Sequence, residues 1–350
     1  MRKTAYPVVW EGGRAQSLSL DPIAHLGYSH RSVYPTDDGR ADVGVRRRSG
    51  DPPHRTFFSI LPGLILPALL FSAFQDQPLT GPQLVSRGQL EEALTVFRQV
   101  LEILPNSTAA NNGVGVVLDL MGRYAEGRQY FSKAIQVASK PSEKVLALRA
   151  MAVAWGFAGD CKGAEKYESA AYDLYLSASD FYNAGEVADE MGRLCLDRGD
   201  LNRALNWYEK GHQTGLQQPD IPQERTDLWN FRWANARARI AVRRGKTGDA
   251  RKQLAEARAI LDKGRIPDQN EYLPSLTGYV DFYAGDYAAA VRDLEQANSG
   301  DAFLECLLAQ TYEKMGNRER ALEYYRKAAS ATAHSVPVSF ARPFSLMKLQ

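Results

Sequence analysis

The sequence predicts an all-α protein, a solenoid built from antiparallel helix pairs. Two observations lead to this fold class. A glycine recurs in seven registers along the chain, at spacings of 34, 37, 40, 46, 40 and 31 residues. Columns of small residues stand at constant distances before and after it, which is the pattern of stacked helical units. The composition, with 44% hydrophobic and 24% charged residues, is ordinary for a chain with a buried core.

The recurring glycine is predicted to end the first helix of each unit. A residue in the left-handed conformation closes many helices, and glycine adopts it without steric cost. In four units an Asp or Asn follows directly, where its short side chain can cap the second helix. The seven glycines are Gly88, Gly122, Gly159, Gly199, Gly245, Gly285 and Gly316. The four capping residues are Asp160, Asp200, Asp286 and Asn317.

The small residues are predicted to let the two helices of a unit approach closely. One column lies seven residues before the glycine: Gly81, Gly115, Ala152, Gly192, Ala238, Gly278 and Ala309. Another lies five residues after it: Ala93, Gly127, Ala164, Ala204, Ala250, Ala290 and Ala321. Six units carry a bulky residue four positions later, which we expect to fill the gap between units: Phe97, Phe131, Tyr208, Leu254, Leu294 and Tyr325.

This pattern resembles the tetratricopeptide repeat, a two-helix unit of about 34 residues. The clearest copies are VSRGQLEEALTVFRQVLEILPN, LDLMGRYAEGRQYFSKAI and GNRERALEYYRKAAS. The resemblance covers residues 75–330 in about seven units and leaves 331–350 as a C-terminal tail. It implies a right-handed superhelix with a concave groove. Pro82 departs from the pattern and predicts a short first helix.

In the family that the sequence resembles, the first helix of each unit lines the groove. Those positions carry Asn112, Arg149, Glu186, Asp189, Arg193, Arg232, Asn235, Arg239, Tyr272 and Tyr279. Arg243 extends Arg232, Asn235 and Arg239 into a stripe along one helix face, because their spacings are 3, 4 and 4. Charge-assisted donors in a fixed array grip a carboxylate well. We therefore expect this groove to bind an acidic or carboxylate-ended peptide; the alternative is a solvated basic helix.

Other functional classes lack support in the sequence. No nucleophile, metal or phosphate-loop motif is present, and the five histidines are scattered, so neither catalysis nor a cofactor or metal is expected. The three cysteines, Cys161, Cys195 and Cys306, form no CxxC pair, and we interpret them as buried core residues. Residues 1–56 hold nine of the 43 cations and six of the 41 acids. The remaining 34 cations and 35 acids nearly cancel, which argues against nucleic acid as a partner.

Residues 1–56 form a basic leader of low complexity that we expect to be disordered. No methionine stands between Met1 and Met121, whereas Val43 and Val45 directly precede three arginines. Translation from one of these valines would make a short basic leader ahead of an apolar core, as in an export signal. Residues 1–42 would then be absent from the product.

Residues 57–74 are uncharged and predict a signal-peptide core or a membrane anchor. Eighteen residues make about 27 Å of helix, close to the thickness of a bilayer core. A buried core helix is the alternative, although Pro62, Gly63 and Pro67 fit it poorly. The cleavage triplets around Ala73 are poor, which favours an anchor. Arg46, Arg47, Arg48 and Arg55 precede the segment, so the solenoid should lie outside the cytoplasm, in the periplasm.

The sequence thus predicts a non-catalytic scaffold for a protein or peptide partner, exported or attached to a membrane through residues 57–74. A cytoplasmic adaptor or regulatory module of the same fold is one alternative. A substrate-gripping solenoid in an enzyme complex is another.

Overall fold

The computed structural model describes residues 79–297 and 300–350, which form fifteen α-helices and one 3-10 helix. The predicted leader and the apolar segment 57–74 lie outside these residues. The α-helices are α1 Gly81–Ser86, α2 Leu90–Ile103, α3 Thr108–Leu120, α4 Tyr124–Val137, α5 Pro141–Phe157, α6 Cys161–Ser177, α7 Phe181–Arg198, α8 Leu201–Gly215, α9 Gln223–Arg243, α10 Thr247–Leu261, α11 Leu273–Ala284, α12 Tyr287–Gln296, α13 Ala302–Lys314, α14 Arg318–Ser330 and α15 Val336–Leu349. The 3-10 helix spans Pro267–Tyr272.

Helices α1 to α14 form seven antiparallel pairs, each packed on its own partner and on the next pair along the chain. We call the odd-numbered members the first helices and the even-numbered ones the second helices. The predicted all-α solenoid of seven helix pairs is therefore confirmed. A solenoid of this kind buries its core between neighbouring units, since a single pair cannot cover its own apolar face.

The aligned glycines end the first helices as predicted. All seven have φ between +73° and +87°, in the left-handed region where a Cβ is unfavourable. The four predicted caps also form. Asp160, Asp200, Asp286 and Asn317 each accept a hydrogen bond of 3.0 to 3.2 Å from the backbone N–H three residues further on. These local signals set where each helix starts and stops.

The small residues of the first helices allow aromatic rings of the second helices to approach the backbone. A Cβ on Gly115 would lie 2.7 Å from the ring of Phe131, and one on Gly192 would lie 2.9 Å from Tyr208. In both cases the bulky residue belongs to the same unit as the glycine. The bulky column thus packs within its own unit. Phe97 also fills the gap to the next unit, as expected, since a Cβ on Gly113 would lie 2.4 Å from its ring.

The first helix, α1, is short, as Pro82 predicts. It has six residues, and Thr80 and Gln83 form a capping box at its start. Thr80 N–H donates to Gln83 Oε1 at 2.8 Å, while the Thr80 hydroxyl accepts from Gln83 N–H. A proline is tolerated at this first turn because its missing N–H has no intrahelical acceptor there.

The middle of the solenoid is its most buried part. Residues 184–197 of α7 are all buried, because α5, α6, α8 and α15 all pack on this helix. This stretch includes five charged side chains. Charges in such a position must be paired or hydrogen-bonded, since isolated burial is costly. The buried stretch of α7 therefore carries a group of charged side chains that need partners on the neighbouring helices.

The predicted C-terminal tail forms helix α15, preceded by an extended stretch at residues 331–335. Helix α15 packs on α13 and α14, as the first helix of an eighth unit would. It also packs on α5 and α7, which end 179 and 138 residues before it begins. The solenoid therefore curves back until its last helix meets the first helices of the third and fourth units. We call the surface formed by α5, α7, α9 and α13 the inner face.

Among the helices of residues 79–297 and 300–350, none is both long and apolar enough to cross a membrane. The predicted signal or anchor at residues 57–74 is outside this range and stays a prediction.

Candidate functional site

The predicted groove residues all lie on first helices or at their start, and most of them are buried. The buried members are Arg193, Arg232, Asn235, Arg239, Tyr272 and Tyr279. The partly buried members are Asn112, Arg149 and Arg243. A groove open to solvent would leave these side chains exposed. Most of them are instead buried against other parts of the protein, so they are not all free to contact a peptide as the sequence predicts.

Two of the predicted arginines are neutralised by carboxylates of α7. Arg149 on α5 pairs with Glu190, with 2.9 Å between Nε and Oε2. Arg232 on α9 pairs with Glu186, and both side chains are at most 5% exposed. Helix α7 is thereby tied to both of its neighbouring first helices. These pairs position the helices, and a ligand carboxylate would have to compete with Glu186 or Glu190 for them.

In a second group of arginines, two guanidinium groups lie near one carboxylate, that of Asp197. Arg193 donates from Nε to both oxygens of Asp197 at 2.8 and 2.9 Å. Arg239 Nη2 lies 3.9 Å from the same carboxylate, beyond hydrogen-bond distance. The Arg193 guanidinium stacks 4.1 Å above the ring of Phe303, and that of Arg239 stacks 4.5 Å above Tyr279. We call Arg193, Arg239 and Arg243 the arginine cluster.

The arginine cluster has buried donors without acceptors. Nη1 and Nη2 of Arg193 and Nη2 of Arg239 have no hydrogen-bond partner among the described residues. These two side chains are 1% and 4% exposed. Burial lowers the pKa of Arg193, but the charge and hydrogen bond of Asp197, together with Tyr208 and Asp301, raise it overall, so the guanidinium stays charged. Buried charged donors without partners are uncommon in native proteins and indicate a missing acceptor.

Arg243 extends the cluster along α9 towards aromatic side chains. It donates to the carbonyl of Leu196 at 3.2 Å and to the hydroxyl of Tyr279 at 3.3 Å. Its guanidinium also stacks 4.7 Å above the ring of Tyr283. The predicted alignment of Arg239 and Arg243 beside Tyr279 is therefore present. Burial raises the pKa of Tyr283, and its contact and hydrogen bond with Tyr279 add to the shift, so its hydroxyl stays neutral.

Two buried carboxyl groups, Glu168 of α6 and Asp189 of α7, favour their neutral forms. Burial raises the pKa of Glu168 well above its ordinary range, and the charge of Glu190 adds to the shift. Burial likewise raises the pKa of Asp189, against the lowering effect of Arg232. Each carboxyl lies beside an arginine that is already paired with another acid. At each of these two carboxyls, a bound proton therefore removes the negative charge that a second cation would otherwise have to balance.

The three cysteines are buried, as expected from the sequence, but two of them form a disulfide that the sequence did not indicate. Cys161, at the start of α6, and Cys195, in α7, form a disulfide with a Cα–Cα distance of 5.2 Å. The sequence interpretation treated all three cysteines as core residues without a disulfide partner, because no CxxC pair is present. Helix packing brings these two together across 34 residues. Cys306 remains a buried thiol, and burial raises its pKa to about 12, which makes it a poor nucleophile.

The arrangement can hold an anion but shows no catalytic constellation. Sequence reasoning found Arg193, Arg239, Arg243 and Tyr279. It missed Asp197 and Phe303, which complete the cluster from α7 and α13. Asp197 stands four residues after Arg193, a helical ion-pair spacing that was a readable signal. Phe303 comes from a helix over 100 residues away, and only the curvature of the solenoid brings it there. Within residues 79–297 and 300–350, no three His, Cys, Asp or Glu side chains gather as metal ligands.

Comparisons with known proteins agree with the fold. Two family models described as tetratricopeptide repeat match the chain, one over residues 80–143 and the other over residues 306–334. No curated protein matches it. Among solved structures, a tetratricopeptide repeat protein from Parabacteroides merdae ATCC 43184 is 16% identical. That match covers 76% of this chain and 96% of the other, with a TM-score of 0.44.

A second similar structure is the apo form of RapI, which is 13% identical. The match covers 77% of this chain and 96% of RapI, with a TM-score of 0.49. At these identities the likeness concerns the fold alone.

Proposed function

Because the chain is a tetratricopeptide repeat protein, we propose that it is a non-catalytic scaffold whose inner face binds a carboxylate group of a protein partner at the arginine cluster. The unpartnered buried donors of Arg193 and Arg239 are the observation that carries this proposal. Interaction with proteins is the general role of such repeats, since stacked helix pairs supply surface rather than a catalytic cleft.

The charge balance around the cluster supports an anionic ligand. Three guanidinium groups surround Asp197, which already accepts from Arg193. Asp301 is a second acid near Arg193, but its carboxylate accepts from the backbone N–H of Phe303 at 2.7 Å and of Leu304 at 3.1 Å. It therefore caps α13, while its charge also raises the pKa of Arg193. A partner carboxylate would add charge-assisted bonds to donors that have none.

The surroundings of the arginine cluster indicate which chemical class of ligand it would bind. Rings of Tyr279 and Phe303 lie against the guanidinium groups and shield them from water, which strengthens the attraction for a carboxylate. A peptide end or an acidic side chain fits this setting. The nearly neutral body offers no broad basic surface, which nucleic acid would require.

The proposed place of action is outside the cytoplasm, with the chain exported or anchored through residues 57–74. The Cys161–Cys195 disulfide supports this location, because disulfides persist in oxidising compartments. The alternative remains a cytoplasmic adaptor. Fractionation of cells with protease protection separates the two: protection of the solenoid in intact cells with a sealed envelope, and its loss when only the outer barrier is opened, indicate a periplasmic position.

The binding proposal is tested with the full chain and a library of short peptides that end either in a free carboxylate or in an amide. Binding of free-carboxylate peptides that falls at least tenfold in Arg193→Gln and Arg239→Gln supports it. Arg237→Gln is the matched control, because Arg237 lies on the same helix as Arg239 but pairs with Glu256 near the surface. Equal binding of the carboxylate and amide series, or equal loss in the control, contradicts the proposal.

A further inference from the structure

The C-terminal residues 332–349, which we call the strap, occupy the inner face as a ligand would. Helix α15 lies against α5 and α7 as well as against its neighbours α13 and α14. Its buried side chains include Val336, Val338 and Ala341. The stretch before it reaches the first unit, where the Thr332 hydroxyl lies 3.5 Å from the carbonyl of Ser86. One segment thus spans most of the surface on which a partner would bind.

Arg342 fastens the strap to the ends of two other helices. It donates from Nε and Nη2 to the carbonyl of Leu120 at 3.2 and 3.1 Å. It also donates from Nη1 to the carbonyls of Ala329 and Ala331. Leu120 ends α3 and Ala329 lies in the last turn of α14, where helix carbonyls lack internal partners and attract cations. A single side chain therefore joins the strap to the second and seventh units.

Arg198 of α7 donates to the strap at the point where helix α15 lacks one of its own backbone hydrogen bonds. Pro343 has no N–H, so the carbonyl of Ser339 cannot accept the usual bond from four residues further on. Arg198 Nη2 donates to that carbonyl at 3.1 Å and to the carbonyl of Gly156 at 2.6 Å. The inner face thus supplies the bond that the strap helix lacks.

A third contact lies ahead of α15. His334 Nε2 and Asp119 Oδ2 are 2.8 Å apart, and both side chains are fully buried. The imidazole packs 5.3 Å from the ring of Phe131 and 5.2 Å from that of Phe157, measured between centroids. The strap thereby reaches first and second helices of the early units by polar and aromatic contacts together.

The strap also contacts a ring that packs on the arginine cluster. Phe340 packs 5.9 Å from Phe303, the ring on which Arg193 stacks, and lies 5.4 Å from the Arg198 guanidinium. Residues 331–350 contain no Asp or Glu. The strap therefore packs beside this basic part of the inner face without bringing an acid to it. An occupant that brings a carboxylate to the position of Phe340 would gain an attraction that the strap cannot supply.

Two depressions that are open to solvent border the strap near its ends. A cavity of about 520 Å³ lies beside Thr332 and Pro337, and another of about 430 Å³ lies beside Arg342 and Leu346. Leu346 and Met347 are 42% and 57% exposed. A helix that contains a proline, depends on outside side chains for hydrogen bonds and has a solvated face opens more readily than its neighbours.

From these contacts we propose that the strap is an autoinhibitory segment, and that the partner is an acidic helical peptide which displaces α15 from the inner face. This inference rests on the proposed function, because the same arginine cluster receives the acid of the partner. The partner helix would resemble α15 in its small inner residues and would carry a carboxylate where the strap carries Phe340. The exchange involves no covalent step.

Hydrogen exchange of the full chain tests the strap without any partner. The amides of α15 should exchange at least tenfold faster than those of α13, because the strap opens while the solenoid stays folded. Arg342→Ala should increase that rate further, and Met347→Ala, on the exposed side of the same helix, should leave it unchanged. Exchange of α15 at the rate of α13 overturns the proposal, since the helix would then open only with the whole fold.

Binding of a synthetic peptide tests displacement. The probe is a labelled peptide of residues 332–350 with Phe340→Glu, compared with the unchanged sequence. The acidic peptide should bind Arg342→Ala protein at least tenfold more tightly than wild type, and more tightly than the unchanged peptide does. Equal binding to both proteins, or equal binding of both peptides, overturns the proposal. Failure of the carboxylate library with both wild-type and Arg342→Ala protein, together with fast exchange of α15, would refute the carboxylate site of the proposed function and leave only the opening of the strap supported.

Discussion

Replacing both Cys161 and Cys195 by serine should lower the free energy of unfolding by about 3 to 4 kcal/mol. The two residues are 34 positions apart, and the disulfide closes this loop in the unfolded chain. The chain-entropy relation for a loop of that length gives a stabilisation of about 3.8 kcal/mol at 25 °C. Strain or residual structure in the unfolded chain would reduce the measured value.

The assay is urea unfolding followed by far-UV circular dichroism, with and without a thiol reductant. The reductant should move the midpoint of the wild-type protein to that of the double variant and should not affect the variant. Because units of a solenoid can unfold separately, hydrogen exchange of α6 and α7 shows whether the loss is local to the third and fourth units.

Two results would refute this reasoning. Peptide mapping under non-reducing conditions that finds no Cys161–Cys195 link would refute the pairing itself. A verified link with no shift of the midpoint upon reduction would refute the entropic stabilisation. The first result would also remove the support that the disulfide lends to a location outside the cytoplasm.

Further substitutions test single features by thermal unfolding. Glu168→Gln should stabilise the protein more at alkaline than at acidic pH. Burial raises the pKa of the Glu168 carboxyl, so the stability that this group contributes is fully present below its ordinary pKa of 4.5 and is lost as the pH rises through the raised pKa. Gly245→Ala should cost about 1 kcal/mol, since φ is +73° there. Gly248→Ala, in the first turn of α10 with open space around it, should stabilise by about 0.5 kcal/mol. Asp286→Ala should cost about 1 kcal/mol because Ala289 N–H loses its acceptor.

Each substitution has an outcome that would contradict it. Neither glycine has atoms within 4 Å of its would-be Cβ, so equal effects of the two alanines would show that the left-handed backbone is not the cause. A Glu168→Gln effect that does not change with pH would show that ionisation of this carboxyl does not limit stability. An unchanged α12 after Asp286→Ala would mean that the cap adds nothing to the packing of that helix.

The buried ion pairs raise the question of why this solenoid keeps charges in its core. Pairs such as Arg149 with Glu190 and Arg232 with Glu186 gain little net stability, because desolvation offsets their attraction. Their geometry ties α7 to α5 on one side and to α9 on the other. We expect them to set the register of the units, which would keep Arg193 and Arg239 at a constant separation.

The elements of the fold were predictable because their signals are local. Gly199 ends α7 and Asp200 caps α8 through contacts within a few residues, so each unit carries its own boundary signals. The close approach of Gly192 and Tyr208 also lies within one unit. Repetition of this short pattern was sufficient to predict the number and order of the helix pairs.

The site was predictable only in part, because its contacts join residues that are far apart in the sequence. Helical spacing placed Arg232, Asn235, Arg239 and Arg243 on one face, and the structure has them there. It did not indicate that Glu186, 46 residues earlier, pairs with Arg232, while Arg239 has no carboxylate within hydrogen-bond distance among the described residues. Whether a cation is neutralised depends on which acid the neighbouring unit brings to it.

The sequence by itself determined the fold class, the seven helix pairs, and their glycine turns and caps. Only the tertiary structure decided the Cys161–Cys195 link, the assembly of Phe303 with the arginine cluster, and the position of the strap against α5 and α7. The physical reason is that these contacts depend on the curvature of the whole solenoid. That curvature is the sum of small rotations between units, each set by packing that no short stretch of sequence specifies.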